Sequence, residues 1–232
     1  MSGEGLLHNL RKLLSLVKNK TFSSFCLLLM FSRVGFIFFF RIQGLVLIDK
    51  GFDKDILSNF ILITIVVEVV FNIIVKKPNQ GFLQYGMTYY RFYLISQAFT
   101  LFYLYFYDSY KTHQTLTIII LIIINIYSNW TKSHFTLGFN SFYAKISDRE
   151  LGGTYLTALY SINNLSMNLP GLLIYPAIDK IGYLFVGVVS LLYSIGFILL
   201  FSDKVVSYDE IDIVKWKAKV DVKDDKKVNP IE

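Results

Sequence analysis

Residues 56–75 read Ile56-Leu57-Ser58-Asn59-Phe60-Ile61-Leu62-Ile63-Thr64-Ile65-Val66-Val67-Glu68-Val69-Val70-Phe71-Asn72-Ile73-Ile74-Val75. A helix of that length rises about 30 Å, the thickness of the hydrocarbon core of a bilayer. Glu68 is its one charged residue, and Lys76-Lys77-Pro78-Asn79 stops it with two cations and a helix breaker. The stretch reads as a transmembrane span, and similar apolar runs flank it. Before it lies Phe22–Leu47, interrupted by Arg33 and Arg41 and separated by the polar turn 49–55. After it come 87–107, 117–137, 152–175 and 181–201. The expected fold class is all-α, a polytopic transmembrane helix bundle of about six spans. Strict two-residue alternation, the mark of a β-barrel, is absent.

Composition agrees. Hydrophobic residues make up 54% of the 232, aromatics 17% and charged residues 17%. A soluble domain carries about 25% charge, and one this small could not hide so much apolar surface. The net charge of +6 comes from Lys and Arg between the apolar runs and in the tail. That placement sets topology and excludes a nucleic-acid partner as its reason. A single cysteine, Cys26, allows no intrachain disulfide and no metal site. No phosphate-binding loop, metal-ligand spacing or nucleophile motif occurs, so no catalytic residue, cofactor or enzyme activity is expected.

Three regions follow. Residues 1–20 form an amphipathic linker helix, with Leu6, Leu7, Leu10, Leu13, Leu14 and Val17 on one face and Arg11, Lys12 and Lys18 on the other. Residues 21–201 form the six-helix bundle. Residues 202–232 form a charged tail, disordered towards its end. The N-terminal segment, Lys76-Lys77, Lys145 with Arg149, and the Lys-rich tail fall on one side of an even-numbered bundle, so both termini face the cytoplasm.

Charged and amide side chains inside spans are costly and so informative. Arg33 and Arg41 lie about 12 Å apart along one helix. Each could receive phosphate in a bidentate fork, or pair with a neighbouring helix or snorkel to the interface. Glu68 is either a proton-coupling carboxylate or the partner of an arginine in the first span. Arg91 sits near a helix end, suited to a gate or to snorkelling. Lys132 and His134 either face a pore or bond between helices. Thr157, Ser161, Asn164 and Asn168 recur at i, i+4, i+7 and i+11, a stripe that lines an aqueous path or joins helices. Asn168-Leu169-Pro170 is a candidate helix break.

Phe142-Tyr143-Ala144-Lys145-Ile146-Ser147-Asp148, then Gly152-Gly153-Thr154-Tyr155-Leu156-Thr157, Asn164-Leu165 and Asn168-Leu169-Pro170, resemble the acetyl-coenzyme A transporters of the endoplasmic reticulum membrane, in the major facilitator superfamily. Ser24-Phe25-Cys26-Leu27-Leu28-Leu29 and Arg33-Val34-Gly35-Phe36 resemble that family's seventh helix, and Arg11-Lys12-Leu13-Leu14 the linker before it. Three features depart from the family: Ser166-Met167 in place of a Gly-Gly pair, a lumenal segment shortened to 176–180, and Lys132 and Arg41 without family counterparts.

The resemblance implies one half of a major facilitator fold that moves acetyl-CoA from the cytosol into the lumen, with the bilayer around it. Its partner would be a second six-helix half or another copy. It implies a substrate site at Arg33, Glu68, Asn164 and Asn168, and a cytoplasmic gate at Arg91, Lys145, Asp148, Gly152 and Gly153. Asp148 could instead cap the fifth span, with the two glycines allowing close packing. The rival functions are a superfamily transporter of another anionic solute and a non-transporting remnant that pairs with other membrane proteins.

Overall fold

The computed structural model describes residues 16–76, 78–79, 81–147 and 152–216. These residues are almost wholly helical and contain no strand. The first apolar run forms α1 (Lys20–Ser32), a π-helical turn (Phe38–Ile42) and α2 (Gln43–Asp49). Four long or medium helices follow: α3 (Lys54–Ile74), α4 (Phe82–Tyr110), α5 (Gln114–Ile146) and α6 (Gly152–Asn168). The chain closes with α7 (Gly171–Ile181), α8 (Tyr183–Ser207) and two 3-10 turns, Tyr208–Glu210 and Ile213–Trp216. Side chains cap two of the starts. Asn19 accepts from Thr21 and Phe22 amides at α1, and Asp53 from Asp55 and Ile56 amides at α3.

Among the described residues, three helices are long and apolar enough to cross a membrane: α3, α5 and α8 with its 3-10 extension. Only 6% of the most apolar window of α3 is buried within the protein. Ile73, Leu172, Leu173, Leu199 and Leu200 are likewise almost fully exposed. Apolar surface of that extent requires lipid or protein around it, and the fold is an all-α membrane bundle. The remaining expected spans differ for local reasons. The first and fifth are each divided in two by a break, and α4 is diluted by tyrosines.

The first break falls at Arg33–Gly35. There the Ser32 carbonyl accepts the hydroxyl of Tyr90 from α4, and the Phe31 carbonyl, left with a long 3.4 Å bond from the Val34 amide, also accepts that of Tyr193 from α8, at 3.0 Å. Tyrosines from two other helices therefore supply what the interrupted ladder loses, the condition for irregular backbone inside a bundle. Gly35 lets α8 approach the break, since a Cβ there would lie 2.5 Å from the Ser190 carbonyl. The fifth run breaks at Leu169–Pro170, as the sequence suggests, but helical bonding resumes at once through Leu172, Leu173 and Ile174 amides. The result is a bend. The expected loop at 176–180 is helical instead, and the turn falls at Gly182, whose φ of 84° is strained for residues with a Cβ.

Two aromatic-rich cores are stacked along the bundle. One holds Phe25, Phe36, Tyr90, Phe135, Phe142 and Phe197. The other holds Phe38, Phe52, Leu104, Tyr107, Leu121 and Val186. Between them, midway along the helices, runs a belt of buried polar residues that includes Ser96, Gln97, Thr100, Asn129, Ser190 and Ser194.

The start of the expected charged tail is corrected. Helix α8 continues to Ser207, and residues 208–216 fold back onto the bundle. Trp216 is fully buried, edge-on to Phe25 at 5.5 Å and Phe142 at 5.4 Å. The reason is Tyr208 and Trp216, whose rings add apolar area that the surrounding charges obscure in a composition count. Residues 217–232, and most of the amphipathic segment at 1–20, lie outside the described residues.

Candidate transport site

Arg33 caps the C-terminus of α1 at the first break and is only 4% exposed. Its guanidinium carbon stands 4.7 Å from the ring centroid of Phe135 and 5.9 Å from that of Phe139, a cation–π arrangement on α5. Nη1 reaches the Met167 sulfur of α6 at 3.7 Å, a weak acceptor. Nε and Nη2 have no hydrogen-bond partner, nor does the buried hydroxyl of Tyr143. None of the ion pairs among the described residues includes Arg33. The site is an aromatic wall around a cation two of whose nitrogens, Nε and Nη2, make no hydrogen bond, a geometry that favours an incoming oxyanion.

Glu68 finds a different partner from the expected arginine: its carboxylate meets Lys132 Nζ at 2.8 Å, bridging α3 and α5. The reason is lateral packing. Helix α3 lies along α5, while Arg33 turns towards the aromatic face of α5 and towards α6. The pair sits at the edge of a cavity of about 310 Å³, with Gln97 and Ser96 of α4 and Asn125, Ser128 and Asn129 of α5. Sequence reading passed over these α4 and α5 residues. The signal was present, since 93, 96/97 and 100, and 125, 128/129 and 132, each recur at helical spacing.

The α6 stripe does not converge on either place. Thr157, Ser161, Asn164 and Asn168 are all exposed, while Tyr155, Leu159 and Ser166 form the buried face. Thr157 donates to the Gly153 carbonyl and Asn168 to the Asn164 carbonyl, both at 2.7 Å. The α6 residue that meets Arg33 is Met167. His134 faces aromatic neighbours, stacked on Tyr89 at 4.1 Å and edge-on to Trp130 at 5.1 Å. The Arg41 side chain and Asp148 lie outside the described residues.

The other expected gate residues lie near the C-terminal segment or at a helix start. Arg91 donates to Ser202 Oγ at 3.0 Å, and Lys145 to the Asp209 carbonyl at 2.8 Å. Helix α4 begins at Gly81, which has no side chain to cap it. The Asp209 carboxylate does so from across the chain, accepting the Leu83 amide at 2.7 Å and the Gln84 amide at 3.1 Å. Asp209→Ala should therefore cost about 0.5–2 kcal/mol. It should also raise amide exchange across 208–216, read by thermal unfolding and hydrogen exchange. Unchanged exchange would show that the segment is held by its other contacts, among them Trp216 and the Lys145 bond to the Asp209 carbonyl. Gly152 and Gly153 begin α6, and a Cβ at Gly153 would meet nothing within 4 Å, so Gly153 is not there for tight packing.

The family model described as acetyl-coenzyme A transporter 1 matches residues 92–190, from within α4 into α8. Over that stretch the chain is similar to this family. The family segment contains Gln97, Asn125, Asn129, Lys132, Lys145 and the whole α6 stripe; Arg33, Glu68 and Arg91 lie before it. The apolar helices suit a membrane protein, and the matched stretch resembles a transporter family. No solved structure matches the chain.

Proposed function

We propose that this chain carries acetyl-CoA across the endoplasmic reticulum membrane, from cytosol to lumen, as one six-helix half of a major facilitator transporter. A second half or a second copy completes the cavity, both termini face the cytoplasm, and the two bundles rock about a midplane site. The family match supports the substrate. The observation that carries the site is Arg33, a buried guanidinium whose Nε and Nη2 lack partners. A CoA ester brings phosphate oxygens, the acceptors that this group lacks. Glu68 keeps Lys132 neutralised, so the net positive charge is concentrated at Arg33. Arg91 and Lys145 act at the cytoplasmic end, Arg91 through Ser202 of α8 and Lys145 through the Asp209 carbonyl of the C-terminal segment.

The test is uptake of labelled acetyl-CoA by proteoliposomes holding the full chain. Arg33→Ala should lower uptake by about 10- to 100-fold, the effect of losing a charged hydrogen bond of roughly 1.5–3 kcal/mol. Arg33→Lys should recover only part, because an ammonium cannot form the planar fork. Uptake equal in wild type and Arg33→Ala would remove Arg33 from the path. No uptake by folded wild-type chain would favour the non-transporting reading.

A further inference from the structure

The cavity beside the Glu68–Lys132 pair contains a buried amide whose donor and acceptor make no hydrogen bond, with the Tyr93 hydroxyl nearby. Gln97 is 1% exposed, it lines the cavity, and neither its Nε2 nor its Oε1 has a hydrogen-bond partner. A buried donor and acceptor left unmet are costly. The carboxamide offers a donor to a ligand carbonyl and an acceptor to a ligand N–H; because a trans amide points those two groups in opposite directions, each ligand amide meets Gln97 through one of them. Asn125 and Asn129 add further amides to the same wall, although Asn125 Nδ2 already donates to its own helix at the Leu121 carbonyl, 2.9 Å away.

Charge separates this cavity from the Arg33 site. Glu68 and Lys132 meet at 2.8 Å and cancel, so the cavity has no net charge with which to select an anion. Its volume of about 310 Å³ is at the low end of the roughly 300–1,000 Å³ typical of ligand pockets. It suits part of a large ligand better than the whole. The two places are neighbours. Lys132 lies one turn from Phe135, which carries the Arg33 guanidinium; Gln97 lies on α4 two turns beyond Tyr90, which bonds the Ser32 carbonyl beside Arg33.

We infer that this cavity binds the neutral, amide-bearing pantetheine arm of the substrate, with Gln97 pairing one of its amides, while Arg33 takes the phosphates. The inference rests on the acetyl-CoA reading above and adds a second subsite to it.

Pantetheine, the arm without phosphates, is the probe, titrated calorimetrically into the purified full chain in nanodiscs. Wild type should bind it saturably, and Gln97→Leu should weaken binding by about tenfold or more, because the ligand amide is then buried unpaired. Gln97→Leu replaces an unsatisfied amide by an apolar side chain, so its fold should persist, checked by its melting temperature. Arg33→Ala should leave pantetheine binding unchanged while weakening acetyl-CoA binding. Absent pantetheine binding in wild type, or equal binding in Gln97→Leu, overturns the inference even if Arg33-dependent acetyl-CoA uptake is found. Gln97-dependent pantetheine binding without acetyl-CoA uptake upholds the subsite and overturns the transport reading instead.

Discussion

Gly138→Ala should prevent α4 and α5 from seating against each other. A Cβ at Gly138 would stand 2.7 Å from the Phe82 carbonyl oxygen and 2.8 Å from the Gly86 Cα and nitrogen. Gly86 faces back in the same way, its own Cβ position lying 2.9 Å from the Phe139 ring. The atoms in the way at Gly138 are backbone, so no rotamer change relieves them and the helices must separate. Small residues are what allow such approach between membrane helices, where lipid removes any hydrophobic drive for association. Overpacking typically costs about 1–3 kcal/mol; a backbone clash belongs at the upper end, and Gly138→Val should exceed it. The measurement is the melting temperature in detergent, with Gly153→Ala as control. Nothing lies within 4 Å of a Cβ at Gly153, and alanine gains up to about 1 kcal/mol over glycine in a helix. A Gly138→Ala protein as stable as Gly153→Ala would sink this account of the interface.

Lys132→Met should be comparably damaging for an electrostatic reason. It leaves Glu68 without its 2.8 Å partner in the apolar stretch Ile65–Phe71 of a helix exposed to the surroundings of the bundle. A lone charge in a span costs about 2.5–3.5 kcal/mol on insertion scales, and breaking one side of a buried pair about 3–5 kcal/mol. The pair here is about one-quarter to one-third exposed, which argues for roughly 3 kcal/mol. Removing both charges, in Glu68→Gln with Lys132→Met, should restore most of the stability, since neutral replacement of a buried pair is often harmless. A double-mutant cycle on unfolding free energy reads the coupling. If the double variant is no more stable than Lys132→Met alone, the pair is not the reason for the loss.

The fold class was legible because hydropathy and run length are local quantities. Ile56–Val75 and the apolar start of the fourth run are helices in the structure, and the break after Asn168 follows from Pro170, which has no N–H to give. The break at Arg33–Gly35 carries no proline and went unread. It exists because Tyr90 and Tyr193, far along the chain, accept the task of bonding its carbonyls. The same limit applied to the site. Arg33, Glu68 and Lys132 stood out singly as charges in apolar runs, but not which of them pair.

Reading along the chain thus specifies the helical membrane bundle, its polar positions and, through the residues around 142–170, its likeness to the acetyl-coenzyme A transporters. Packing in three dimensions brings Glu68 to Lys132, lays Arg33 against Phe135 and Met167, buries Gln97 with no hydrogen bond on its amide, and binds the C-terminal segment to the bundle through Asp209 and Trp216. The physical reason is that lipid and protein interior are both apolar. Hydropathy gives each helix its length but not the direction each face turns, and that direction is fixed by packing, small residues and hydrogen bonds between helices distant in sequence.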